Sequence, residues 1–308
     1  MPKPSYFRMI RAPFLSSILA PLLAGTLLAV IATGSFHLPG FVLILIIGIA
    51  LHTSVNVYND IYDTIQGTDK INVHRNQFSG GSGVLLDFPE LMPRMFAIAR
   101  WNLIAAFVAT IGLTFFVRRE LWLLLWGLYL VSAFLSKYYT AAPIKMAYRG
   151  MGELFVWFAF GPMAILLAAV GQNVGFHAYI IAGMAVTGLS TLSILLIGQL
   201  IDLSADAATG KLGLAARRGT KVTHWVYFTA QLLIVLNIAI VALFIIENGW
   251  PVFAAIVPYI LIFPKAWKTI HSHYCEPDRL KPAAGMNVQI HLLFSIGLIV
   301  GLGLVLII

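Results

Sequence analysis

Charge is scarce in this chain. Of its 308 residues, 10% are Asp, Glu, Lys or Arg; a soluble domain carries about 25%. That shortage excludes an ordinary water-soluble enzyme. The 60% hydrophobic content excludes disorder as well. Cysteine is nearly missing, with Cys275 standing alone, so an internal disulfide and a cysteine metal cluster are excluded. Acid is scarcer than base, 12 residues against 20, which leaves a net charge of +8. In a soluble protein that balance suggests nucleic acid. At a mean hydropathy of +0.89, the question becomes which membrane face holds the charge. No nucleic-acid partner is expected.

What the chain has in abundance is long apolar runs. A span needs about 20 apolar residues. Nine runs are long enough: 12–34, 41–65, 91–117, 121–136, 152–170, 176–200, 222–246, 251–267 and 286–307. The expected fold class is therefore all-α: a polytopic membrane bundle of about nine helices around a central cavity. Residues 1–308 are expected to form one integral-membrane domain. No cleavable leader is expected, because the first apolar run is long enough to span and lacks a small-residue cleavage site.

The basic residues sort by side. The N-terminal segment and the 2–3, 4–5, 6–7 and 8–9 connections, with their flanks, hold eighteen of the 20; only Arg118 and Arg119 fall on the other side. The positive-inside rule then puts the N-terminus and the even-to-odd connections in the cytoplasm and the C-terminus outside, with the inner membrane as the expected location. Ten of the 12 acids share the cytoplasmic side; Glu120 and Glu247 do not. The whole +8 thus sits on one face. Acids contribute little to orientation, so their clustering needs another cause.

Two acidic clusters end even-numbered helices, at 56–70 and 202–211. In the first, Asn56, Asn59, Asp60 and Asp63 follow i, i+3, i+4, i+7 spacing and share one helical face. In the second, Asp202 and Asp206 are four apart. Each cluster has a Gly four residues after its last paired Asp: Gly67 and Gly210. Each is followed by base: Lys70 and Arg75, then Lys211 and Arg217. Like charges at these spacings repel unless a cation joins them. Carboxylate oxygens suit Mg²⁺, which commonly takes one or two carboxylates plus substrate phosphates. Flanking Lys and Arg grip phosphate oxygens. A bundle that brings the two faces together would hold a diphosphate. Metal-bound diphosphate is a good leaving group, and a polyprenyl chain on its other end would stay in lipid. Ionisation would give an allylic cation, which aromatic side chains stabilise.

These residues resemble the UbiA superfamily of intramembrane prenyltransferases. The resemblance rests on Asn59-Asp60-x-x-Asp63 with Gly67-Thr68-Asp69-Lys70, and on Asp202-x-x-x-Asp206-x-x-x-Gly210-Lys211. A third segment adds Tyr139-Thr140-x-x-Pro143, Tyr148-Arg149-Gly150-Met151-Gly152-Glu153 and Phe160-Gly161-Pro162. The combination is most similar to the 1,4-dihydroxy-2-naphthoate branch of menaquinone synthesis. The resemblance implies a prenyltransferase that moves a polyprenyl group from prenyl diphosphate to an aromatic acceptor. It implies Asp60, Asp63, Asp202 and Asp206 as catalytic Mg²⁺ ligands, with Asp69 as a further candidate. Asn56 and Asn59 would orient carboxylates or contact diphosphate. Arg75, Lys145, Lys211 and Arg217 would contact phosphate or the acceptor's acidic group, and Tyr139 would lie in the cavity near the reacting carbon.

The chain departs from the pattern at His74–Gly83, where the 4-hydroxybenzoate and haem-precursor branches carry an Arg-Pro-rich segment. After Asp206 the expected Thr-Leu is replaced by Leu212-Gly213-Leu214. Both departures bear on the acceptor rather than on the diphosphate. Another acceptor (4-hydroxybenzoate, homogentisate or a lipid) and a terpene cyclase stay open at this point. A transporter is disfavoured because no charged path crosses the chain. Ser79–Gly83 reads as a mobile loop or an anion-binding nest. His52 reads either as a substrate contact or as a helix–helix hydrogen bond. Glu153 reads as a helix N-terminal charge or a partner of Lys145 or Arg149.

Overall fold

A computed structural model of the protein describes residues 3–308. Apolar composition and helical hydrogen bonding go together here, because in lipid the backbone must satisfy itself. Among the described residues, eight helices are long and apolar enough to cross a membrane. They are α1 (Ala12–Thr33), α2 (Leu38–Ile65), α3 (Pro89–Thr114), α4 (Arg119–Tyr138), α5 (Gly152–Gly171), α6 (Ala178–Ile201), α7 (Thr220–Ile245) and, at the C-terminal end, α9 (Pro277–Val305). Between α7 and α9 lies a pair, Trp250–Leu261 and Phe263–His273, bent by 42°; taken as one span it is α8 and brings the count to nine. Among the described residues there is no β-sheet; one isolated bridge joins Asn76 and Ser79.

Two spans differ from the expected bounds for physical reasons. α8 is broken rather than straight. Its first seven residues, Trp250–Ile256, form a 3₁₀ turn, and Pro258 and Pro264 each fall in the first turn of a new helical segment, which proline starts readily but does not let continue from the preceding one. α9 begins at Pro277, nine residues before the apolar run. Pro277 occupies the first turn and Asp278 complements the helix N-terminus. Hydropathy sees only the apolar part of such a helix.

Small residues set the closest helix approaches, as is usual in membranes. A Cβ on Gly161 of α5 would stand 2.4 Å from the Met184 carbonyl oxygen of α6, and one on Gly188 2.2 Å from the Trp157 carbonyl oxygen. α5 also carries a π-helical turn at Ala159–Met163 with Pro162 inside it. On the far side of α6, a polar cluster joins three helices. Asn287 Oδ1 accepts from Tyr227 OH at 3.1 Å, Gln231 Nε2 at 3.0 Å and Ser193 Oγ at 3.2 Å. His291 bonds Ser190 at 2.9 Å and contacts Ser17 at 3.5 Å.

Short helices crown one end of the bundle: Thr68–Ile71, Val84–Asp87, Leu203–Ala208 and Leu214–Arg218. Asp69 lies on the first of them and Asp206 on the third, while the other acids of the two clusters stand at the ends of α2 and α6.

Candidate active site

The two clusters are built alike. α2 runs through Asn56, Asn59, Asp60 and Asp63, then stops at Gly67 with φ +87°. α6 ends at Ile201; Asp202 bends the chain into Leu203–Ala208, which stops before Gly210 with φ +71°. The Asp206 N–H still donates to the Asp202 carbonyl at 2.9 Å, so helical spacing survives the bend. The Gly67 N–H bonds the Thr64 oxygen, and the Gly210 N–H bonds the Ala207 oxygen, each at 3.2 Å. Only glycine adopts this left-handed turn without strain.

Three contacts tie the clusters together. Lys211 Nζ lies 2.8 Å from Asp63 Oδ2 and 3.9 Å from Asp206 Oδ1. Asn72 Nδ2 donates to Asp202 Oδ1 at 2.8 Å. The Thr68 and Thr209 hydroxyls meet at 2.9 Å. Tyr148 OH donates to Asp63 Oδ1 at 2.7 Å and contacts the Thr68 hydroxyl. Asp60, 2% exposed, accepts from the Ser82 N–H at 3.2 Å and lies 3.5 Å from Arg11 Nη1. Arg11 also donates to Asn59 Oδ1 at 3.3 Å.

A cavity of about 280 Å³ opens beneath this polar cap. Asn59, Asp63, Asp69, Asp202, Asp206, Lys211 and Arg11 line its polar end, while Ile18, Leu51, Phe155, Phe160, Met163 and Leu167 line its apolar depth. Asn56 and Tyr139 also face it. The structure therefore gathers most of the sequence candidates at one site. It does not bring Asp60, Arg75, Lys145 or Arg217 to the cavity wall; Asp60 is buried against the Ser82 N–H and Arg11. The Arg75 guanidinium packs under the positive-φ loop; a Cβ on Gly83 would collide with it. Arg217 Nη2 donates to the Gly150 carbonyl at 2.8 Å. Lys145 Nζ sits over the Tyr148 ring, 5.5 Å from its centroid.

Glu153 pairs with neither Lys145 nor Arg149. Its Oε1 accepts from Gln199 Nε2 and from the Leu214 N–H, each at 2.6 Å. It thereby pins the segment that follows Lys211 to α6. Sequence reasoning counted Arg11 only as a topology charge and gave Tyr148 and Asn72 no role. The one sequence signal for Tyr148 was its place in the Tyr148–Glu153 stretch.

Burial sets the proton affinities. It pushes the Asp206 carboxyl up to about 7, against the pull of Lys211. Burial, and then the charges of Asp63 and Asp60, push Asp69 up to about 8. Asp202 is raised by burial, with the Asn72 hydrogen bond opposing. Burial works against the Lys211 ammonium, but Asp63 and Asp206 outweigh it and hold its affinity above the ordinary lysine range.

Among the described residues, no three Asp, Glu, His or Cys side chains converge to cage a metal by themselves. The donors present are paired carboxylates at the mouth of a cavity, with cations alongside. That set fits Mg²⁺, which takes a few carboxylates and completes its shell with phosphate oxygens and water.

No protein-family model matches the chain. Among curated proteins, a 1,4-dihydroxy-2-naphthoate octaprenyltransferase of Mycobacterium tuberculosis is 30% identical over 213 residues, covering 69% of each chain. A 2-carboxy-1,4-naphthoquinone phytyltransferase of Synechocystis is 28% identical over 213 residues, covering 69% of this chain and 66% of that protein. The chain thus matches about two thirds of the length of these relatives. Among solved structures, a UbiA homologue from Aeropyrum pernix superposes with a TM-score of 0.66 at 16% identity, over 92% of this chain and 97% of that one. A UbiA homologue from Archaeoglobus fulgidus, solved with DMAPP and Mg²⁺, gives 0.63 at 17% identity, over 96% and 99%. The structural likeness establishes the fold and the sequence likeness the family: the chain is an integral membrane protein of the UbiA superfamily of prenyltransferases, in its 1,4-dihydroxy-2-naphthoate branch.

Proposed function

We propose that this protein transfers a polyprenyl group from prenyl diphosphate to 1,4-dihydroxy-2-naphthoate, with Mg²⁺, at the cytoplasmic face of the inner membrane. The observation that carries this is the joining of both acidic clusters at the polar mouth of an apolar cavity. The relatives' naphthoate substrates support the acceptor. The one-sided basic charge supports a cytoplasmic N-terminus and an outside C-terminus. Residues 1–308 act as one domain.

Asp60, Asp63, Asp202 and Asp206 would hold Mg²⁺, which supplies charge neutralisation to the diphosphate oxygens. Lys211 and Arg11 add fixed positive charge at the same mouth. Tyr148 and Asn72 hold Asp63 and Asp202 in place. The prenyl chain lies along the apolar wall and exits toward lipid. As the C–O bond breaks, electrons leave with the diphosphate and an allylic cation forms. Phe155 and Tyr139 screen it from water. The acceptor ring attacks, a carbon–carbon bond forms, and the carboxylate leaves as CO₂, its bonding electron pair restoring the aromatic ring.

The test is an acceptor panel. Purified protein in lipid receives labelled prenyl diphosphate, Mg²⁺ and one of 1,4-dihydroxy-2-naphthoate, 4-hydroxybenzoate or homogentisate. Prenylated, decarboxylated 1,4-naphthalenediol as the dominant product supports the assignment. Preference for either other acceptor overturns it.

A further inference from the structure

His52 sits on α2 one turn before Asn56, on the face that carries the acids. It lines the cavity, is 6% exposed, and its Nδ1 has no hydrogen-bond partner. A buried polar atom left unpaired is costly, and native proteins rarely keep one without use. Two hydroxyls of the cavity wall are already paired. Ser136 donates to the Leu51 and Ser132 carbonyls, and Thr191 to the Thr187 carbonyl. The imidazole also meets the Phe160 ring edge-on, 4.8 Å between centroids.

Depth decides what His52 meets. Eight residues of helix place it roughly 12 Å below Asp60, and eleven place it roughly 16 Å below Asp63. That is beyond reach of a diphosphate held at the acids. The prenyl chain offers no polar group. The allylic carbon starts bonded to the diphosphate at the cavity mouth, so an acceptor ring that attacks it from within the cavity extends toward the depth of His52. Granting the transferase reading above, we propose that His52 is a specificity residue that hydrogen-bonds a ring hydroxyl of the aromatic acceptor, while Phe160 packs against the ring. The site selects a hydroxylated bicyclic aromatic over its dehydroxylated analogue, because that analogue leaves the imidazole unpaired.

The test compares wild type, His52→Leu and His52→Gln in lipid nanodiscs. Binding of 1,4-dihydroxy-2-naphthoate and of 2-naphthoate is titrated, and KM for prenyl diphosphate is measured alongside. Wild type should prefer the dihydroxy compound by about tenfold or more, one hydrogen bond's worth. Leu should cut that preference to within about twofold, and Gln should restore most of it. KM for prenyl diphosphate should stay within about twofold of wild type throughout. Unchanged discrimination in His52→Leu overturns the proposal. So does an equal loss of prenyl diphosphate affinity, which would make His52 a support of the bundle. Wild type that prenylates no naphthoate defeats the functional reading and this inference with it. Turnover with unmoved discrimination defeats the inference alone.

Discussion

Lys211 Nζ lies 2.8 Å from Asp63 Oδ2, across 148 residues of sequence. One ammonium thus joins the cluster of α2 to the cluster after α6, and it does so at the cavity mouth. Removing it leaves Asp63 and Asp206 facing each other without a protein cation. Lys211→Ala should raise KM for prenyl diphosphate by about tenfold or more and change KM for the acceptor by less. Steady-state kinetics with each substrate varied in turn check this. The reverse pattern would move Lys211 to the acceptor.

Asp63 and Asp202 stand on different helices and are held by different donors, Tyr148 and Asn72. Asp63→Ala and Asp202→Ala should each abolish detectable turnover while the protein stays in the membrane fraction. Labelled-product assays and membrane blotting measure the two readouts. Activity retained in both would mean that the carboxylates are not the metal ligands.

Gly81 sits over the acids with φ +72°. A Cβ there would stand 2.8 Å from Asp69 Oδ2 and 3.2 Å from Asp60 Oδ1. Gly81→Ala adds about 1–2 kcal/mol of backbone strain and crowds two carboxylates. The variant should lose activity about tenfold or more, mainly through the Mg²⁺ requirement. A Mg²⁺ titration identical to wild type would show that the loop yields freely.

Proton affinity links metal binding to pH. The metal-free fold holds Asp206 at about 7 and Asp69 at about 8, while an unfolded carboxyl sits near 3.8. Between these values the folded state binds more protons than the unfolded state. Stability of the metal-free protein should therefore fall as pH rises from about 4 to about 8. Mg²⁺ must displace those protons, so half-saturating Mg²⁺ should fall as pH rises from about 6 to about 9. Unfolding scans in chelator and Mg²⁺ titrations at several pH values measure both trends. A flat Mg²⁺ requirement would contradict the linkage.

The repeated Asp–Gly–base arrangement was legible in the sequence because helical spacing and left-handed glycine turns are local properties. Gly67 and Gly210 show it, with matching hydrogen bonds at 3.2 Å. The bundle was legible because apolar run length is a direct physical requirement of lipid. The break in α8 and the charged first turns of α9 were not, since hydropathy windows average over Pro258 and stop at Lys281. Arg11, Tyr148 and Asn72 were hidden for another reason. Each gains its role only when distant segments meet: Arg11 with Asp60, Tyr148 with Asp63, Asn72 with Asp202. Arg75 and Arg217 show the opposite failure. Base beside an acidic motif suggests phosphate, but the Arg217 guanidinium bonds the Gly150 carbonyl, and the Arg75 guanidinium packs against the loop glycines with its Nη1 unpartnered.

The most direct measurement is product analysis. Wild type and Asp63→Ala, each in lipid with Mg²⁺, receive labelled prenyl diphosphate with and without 1,4-dihydroxy-2-naphthoate. The expected result is prenylated 1,4-naphthalenediol and free diphosphate from wild type only, and only when acceptor is present. A cyclised hydrocarbon formed without acceptor, or no product despite bound prenyl diphosphate, would contradict the assignment.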